Sequence, residues 1–294
     1  MTPATVRTAT PYGFLLPALV VTALVIVYPV MQTVWFSLQD YILYAPDDAR
    51  FIGLKNFAAV LRDEVFWISL SHSAVWVGGI VFAQLVLGLV TALLLNQSFW
   101  WRGLARALVI IPWALPSVII GLMWTWIYDF NTGVLNDILI RLGVLSQPFP
   151  WLASPASALS CIMLALTWQG FPFFAIMILA GLQTVPRELY EAAEIDGASA
   201  FRQFVHVTAP GIAGIVATAT LLRIIWVANS LDVILVMTGG GPGYATHTLP
   251  LYAFLRAYSG MEFGYAAALA LMLTAMLLAI VWLYVRRQAR GLEA

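Results

Sequence analysis

Long runs of apolar residues recur along the chain, parted by shorter polar stretches. They fall at about 14–36, 70–95, 104–128, 155–182, 211–236 and 263–285. Runs of this length cross a hydrocarbon core of roughly 30 Å as helices, because each backbone N–H and C=O must find its partner within the segment. The pattern predicts an all-α, polytopic membrane protein with six transmembrane helices. The connecting segments "YAPDDARFIGLKN", "DFNTGVLND" and "TGGGPGYATHT" are rich in Pro, Gly, Asn and Asp, the residues of turns. Two of the connections are long enough to hold small amphipathic pieces. The run after Tyr12 is too long for a signal-peptide core and lacks a persuasive small-residue cleavage site. It reads as an uncleaved first span, with residues 1–13 ahead of it and the membrane-spanning body of the chain over 14–294.

Composition strengthens this reading. Of 294 residues, 62% are hydrophobic and 10% charged, against roughly 25% charged in soluble domains. Lipid is the expected surrounding. The formal net charge is zero, which gives no footing for nucleic acid. The single cysteine, Cys161, lies inside an apolar run, excludes an intramolecular disulfide and reads as a buried structural thiol. His72, His206 and His247 are scattered without metal-ligand spacing. No nucleophile, base and oxyanion arrangement is visible, so neither a metal site nor a catalytic residue is expected.

Lysine and arginine positions orient the spans. With the N-terminus inside, Arg7, Arg102, Arg106, Arg187, Arg202, Arg286, Arg287 and Arg290 are cytoplasmic, eight against the five of Arg50, Lys55, Arg62, Arg141 and Arg256. Both termini are then cytoplasmic, and so is the segment between spans four and five.

That segment, "LYEAAEIDGASAFRQFVHVTAPG", sets Glu191, Glu194, Asp196 and Arg202 between two long apolar runs. Pro186 suits the first turn of a helix, and "RELYEAAEI" is good helix-forming sequence. Gly197 can adopt a left-handed backbone and end that helix, Ser199 can cap a second short one over "AFRQFVHV", and Pro210 precedes re-entry into the membrane. The result is a helix–turn–helix elbow over 184–210, outside the bilayer and shaped to lie in a groove of another protein.

The segment closely resembles the signature loop of permease subunits of binding-protein-dependent ABC importers: EAA, three residues, Gly, nine residues, Ile-x-Leu-Pro. Glu191, Ala192, Ala193, Gly197 and Pro210 fall in register; Val207 stands for Ile, and Ala209 departs from Leu. "FIGLKNFAAVLRDEVFW", "LAGLQTVPRELYEAAEIDGAS" and "LDVILVMTGGGPGYATHTLPLYAF" resemble, in order, loops of the sugar and glycerol-phosphate branch, the maltose-type permeases. The resemblance implies a type I ABC importer permease fold in a bacterial cytoplasmic (inner) membrane. It implies that Glu191, Ala192, Ala193, Asp196 and Gly197 belong to a coupling helix seated in a cytoplasmic ATPase subunit. It also implies two such ATPases, a second and different permease, and an extracytoplasmic solute-binding protein. ATP and Mg would be bound by the ATPases, with no cofactor in this chain: no G-x-x-x-x-G-K-[ST] occurs, the sole lysine is Lys55, and "TGGGPG" lacks both the Lys and the hydroxyl.

Polar groups inside spans are costly and point to function. Arg223 stands near the middle of span five, about 20 Å along the helix from either end. Arg223, Trp226, Val227 and Ser230 form one helical stripe bordered by Asn229. In span four, "LTWQGFPFF" offers Thr167, Gly170 and Phe173 with the neighbouring Trp168 and Gln169, and Gly170 followed by Pro172 is expected to distort the helix toward a cavity. By the resemblance, these positions face the translocation pathway. An aromatic ring, a guanidinium, an amide and a hydroxyl suit a sugar. The guanidinium offers a fork to a carboxylate, phosphate or sulfonate, although a neutral glycoside can accept the same donors. Lipid contact or packing is the alternative for Trp168 and Trp226, and an ion pair with another span or the partner permease for Arg223. Asp232, nine residues on and about 180° round a continuous helix, is not expected to meet Arg223. The expected function is half of an ATP-driven import pathway for a carbohydrate or derivative. An ion-coupled secondary transporter is the alternative, and it calls for an inverted repeat and intramembrane carboxylates.

Overall fold

A computed structural model describes residues 14–292, with side chains through Arg286. The segment 1–13 with Arg7, and the side chains of Arg287 and Arg290, lie outside the described residues. Five helices are long and apolar enough to cross a membrane, and a bent pair makes up to six. They are α1 (Phe14–Ser37), α3 (Glu64–Asn96), the pair α4 (Arg102–Ala114) and α5 (Ser117–Ile127), α7 (Ala158–Leu182), α9 (Ala200–Ala228) and α12 (Phe263–Leu292). Shorter helices lie between them: α2 (Lys55–Arg62), α6 (Val134–Arg141), α8 (Arg187–Ile195), α10 (Asp232–Met237) and α11 (Leu249–Tyr258).

Two of the expected spans differ in form. The run at 104–128 is a helix pair meeting at 93° across Leu115 and Pro116. Proline disfavours a helical residue before it and supplies no N–H, so the chain turns there. The run at 211–236 begins earlier and ends earlier than its hydropathy suggests. The helix starts at Ala200, passes a π turn at Phe204–Thr208 and Pro210, and stops at Ala228. Pro210 falls just after the π turn, where the hydrogen-bond ladder changes register and a missing N–H is tolerated. Arg223 therefore lies only about 7.5 Å from the end of its helix rather than at the centre of a span.

The chain divides into two units by internal packing. One comprises residues through Phe66 together with Tyr252–Leu278. In it a short hairpin, β1 (Gln39–Asp40) against β2 (Arg50–Phe51), follows α1. The buried Asn56 of α2 donates to the carbonyls of Ser37 and Gln39 at 2.9 and 2.8 Å. Asp63 accepts from the hydroxyls of Tyr252 and Tyr265, and Arg256 bonds both Tyr252 and Glu262. Burial alone would raise the Asp63 carboxyl. The two tyrosine hydroxyls, the Val65 N–H and the Arg256 guanidinium outweigh it and hold the group below the usual carboxylate range.

The other unit comprises Trp67–Leu251 and the residues from Ala279 onward. Here α7 packs against α4, α9 and α10, and α5 packs against α10. Its centre is α7, where Ile162, Phe174 and Ile178 are fully buried. Helix α7 runs through Gly170 and Pro172 without interruption, so neither residue ends it. His72 and His247, far apart in sequence, adjoin: the His72 Nδ1 lies 3.3 Å from the His247 carbonyl.

Candidate functional site

Where α9 ends, two side chains organise the break. Asn229 donates to the Ile225 carbonyl at 2.8 Å, and the buried Trp76 indole donates to the Val227 carbonyl at 3.1 Å. These satisfy acceptors that a helix C-terminus leaves open. The chain then turns at Ser230 and Leu231 and restarts as α10 with Asp232 in its first turn. The 93° bend between α4 and α5 faces this break, and a cavity of about 440 Å³ lies between them. That volume suits a small polar ligand.

The cavity is lined by Ser117, Gln169, Gly170, Arg223, Asn229, Ser230 and Asp232, with Trp113, Leu115, Pro116 and Trp226 as apolar walls. Gln169 donates to the Leu115 carbonyl and to the Ser117 hydroxyl at 3.2 and 3.3 Å, which ties α7 to the helix bend. Arg223 is 7% exposed. Its Nε donates to Gln84 Oε1 at 2.9 Å, and its guanidinium carbon lies 5.8 Å from the ring centres of both Phe173 and Trp226. Phe173 and Trp226 meet edge to face at 5.1 Å. No carboxylate lies within ion-pair distance of Arg223 among the described residues.

Of the residues expected on the pathway, Gly170, Arg223, Trp226, Asn229 and Ser230 meet at this cavity. Phe173 stands behind it, against Arg223 and Trp226. Thr167 and Trp168 do not line it. Thr167 borders a separate apolar groove with Phe82 and Met163, and Trp168 packs edge-on against Trp124 at 6.1 Å. One face of a helix cannot hold positions 167, 168, 170 and 173 together, and α7 is uniform enough to obey that limit.

Asp232, Ser117 and Trp113 line the cavity without having been expected there, and Gln84, bonded to Arg223, was not expected either. Asp232 was set opposite Arg223 by assuming one continuous helix; the stop at Ala228 brings it to the same cavity. Ser117 and Trp113 arrive through the bend, whose only local signal is the "PWALPS" pair of prolines. Gln84, fully buried in α3, carried the same signal as Arg223, a polar group in an apolar run.

The elbow forms as its local signals direct. Helix α8 ends at Ile195, and Gly197 follows at φ +73°. The N–H of Gly197 bonds the Glu194 carbonyl at 3.0 Å, and that of Ala198 bonds the Ala193 carbonyl at 2.9 Å, a paired closure of the helix end. Ser199 caps the next helix by accepting from the Arg202 N–H at 3.4 Å. That second arm is continuous with the span α9 rather than a separate short helix. Tyr190 and Thr208 bridge the two arms at 3.0 Å. Glu191 and Glu194 border a cavity of about 720 Å³ with Arg187, Tyr190 and Gln203. The apolar side chains at the tip point outward, Ile195 87% and Phe201 75% exposed. Ala192 and Asp196 are exposed and Ala193 partly so.

Comparison with known proteins shows the family and the fold. The trehalose/maltose transport system permease protein MalF of Thermococcus litoralis is 38% identical over 275 residues, covering 94% of this chain and 92% of the relative. The sulfoquinovosyl glycerol transport system permease protein SmoG of Agrobacterium fabrum is 38% identical over 272 residues, covering 92% and 88%. Among solved structures, a bacterial ABC transporter involved in the import of the acidic polysaccharide alginate contains a chain of the same fold. It matches with a TM-score of 0.83 at 20% identity, covering 97% of this chain and 96% of that one. Residues 84–290 match the family described as binding-protein-dependent transport system inner membrane component, and the chain belongs to that family.

Proposed function

We propose that the chain is the membrane-spanning permease subunit of an ATP-driven ABC importer and forms half of the pathway for a carbohydrate or carbohydrate derivative. The observation that carries this reading is the meeting of Arg223, Trp226, Asn229, Ser230, Gln169 and Asp232 around one cavity in a chain of this family. Trp226 offers a face for the apolar side of a sugar ring, while the amides, hydroxyls and ions offer directed hydrogen bonds to its oxygens. Relatives that are 38% identical carry carbohydrate names, which supports the solute class.

The elbow is the natural coupling element. In this reading Glu191, Ala192, Ala193, Asp196 and Gly197, with the outward Ile195 and Phe201, dock on a cytoplasmic ATPase subunit that binds ATP and Mg. Two ATPases need two elbows, so a second, different permease and an extracytoplasmic solute-binding protein complete the importer. Closure of the ATPases would draw the elbows together and move α9, which is continuous with the elbow's second arm, between outward and inward states. Both termini are cytoplasmic in this arrangement. The test is reconstitution with the two ATPases, the second permease and the binding protein. Carbohydrate-dependent ATP hydrolysis and uptake are expected; ATP hydrolysis indifferent to every carbohydrate would reject the reading.

A further inference from the structure

Gln84 is fully buried in α3 and touches two other helices. Its Nε2 donates to the Leu166 carbonyl of α7 at 2.7 Å, and its Oε1 accepts from Arg223 Nε of α9 at 2.9 Å. A carbonyl can only accept and a guanidinium can only donate, so the amide's orientation is fixed by its two partners. Gly170 leaves the room: a Cβ there would collide with both Gln84 Nε2 and Arg223 Nη2. Arg223 is thus held by one N–H, with Phe173 and Trp226 beside its guanidinium. The terminal nitrogens make no hydrogen bond within the described residues, and the side chain borders the cavity.

A buried guanidinium without a counter-charge is costly, and a carboxylate at position 84 would offset that cost. The chain has a neutral amide there instead. We propose that Gln84 is a positioning residue for solute recognition. It anchors Arg223 through Nε, turns the terminal nitrogens to the cavity, and leaves the positive charge available to an anionic substituent of the carbohydrate. The proposal rests on the carbohydrate-import reading above and adds the solute's charge. Asp232, on the same cavity, suits the solute's hydroxyls as an acceptor.

The experiment uses the assembled importer with its binding protein at saturation, so that capture does not limit uptake. Maltose and trehalose serve as neutral probes, and sulfoquinovosyl glycerol and an alginate oligosaccharide as anionic ones. Gln84→Glu is expected to lower anionic uptake at least tenfold relative to neutral uptake at equal yield of importer. Lowering the pH should restore part of the loss as the new carboxylate takes up a proton. In the wild-type importer, an anionic probe should protect Arg223 from phenylglyoxal, read by peptide mass spectrometry. That measurement decides alone if Gln84→Glu fails to assemble. An equal fall for both probe types, no fall, or absence of protection overturns the proposal. Wild-type uptake confined to neutral carbohydrates overturns it too and leaves the import reading standing. Uptake of no carbohydrate overturns that reading itself.

Discussion

Arg223 and Gln84 join at 2.9 Å across two membrane helices, and the pair sits over Gly170 of α7, where the side chain is a hydrogen atom. The charge is held without being neutralised, beside a cavity lined with polar groups from α5, α7, α9 and α10.

Gly170→Ala should therefore act as a site mutation and not as a simple packing defect. The added methyl meets Gln84 and Arg223, so one of the two must leave its place. Uptake should fall tenfold or more, while the yield of assembled importer changes little. Maximal uptake against yield on size exclusion checks this; a parallel loss of both would assign Gly170 to packing.

Gly197→Val should uncouple the importer. At φ +73° a β-branched residue is strained by about 1–2 kcal/mol, enough to shift the turn that aims α8. The spans do not depend on this turn, so membrane insertion should persist. Solute-stimulated ATP hydrolysis and uptake should drop together, and Gly197→Ala should be milder. A Glu191→Ala change should weaken contact with the ATPase, measured as reduced co-purification.

Asp63 gives a pH dependence with a definite sign. Its carboxyl is held below the usual range in the fold, so its contribution is fully present above the unfolded value of about 3.9 and is lost as pH falls through the lowered folded value. Asp63→Asn should lower the melting temperature by several degrees from pH 8 to pH 5. Below about pH 4 the gap to wild type should close. A gap that narrows already between pH 8 and 6 would mean that another group controls it.

These consequences also show which parts of the molecule a sequence can disclose. The turn of the elbow was legible because its signals are local: Gly197 supplies the left-handed turn and Ser199 the cap, whereas the continuity of the second arm with α9 was not. The cavity was half legible. Arg223, Trp226 and Ser230 do meet at the cavity, although Ser230 lies past the end of the helix. Asp232 did not follow from periodicity, because a stop at Ala228 reset the helix phase within a segment whose hydropathy reads as one span. Gln84 lies 139 positions from Arg223, and only the packing of α3, α7 and α9 brings them together.

Asp232→Asn offers a check on that reset phase. If the carboxylate accepts from solute hydroxyls, the amide should reduce uptake severalfold for neutral and anionic carbohydrates alike, with normal assembly. Unchanged uptake would place Asp232 outside the solute's path.

The most direct measurement concerns Arg223 itself: carbohydrate uptake into proteoliposomes holding the complete importer, compared for wild type, Arg223→Lys and Arg223→Gln at matched amounts of complex. A solute that meets this cavity predicts a graded loss, with Arg223→Gln at least tenfold below wild type and Arg223→Lys between them, because lysine keeps the charge but not the fork. Wild-type uptake by both variants would contradict the assignment of the cavity to the translocation pathway.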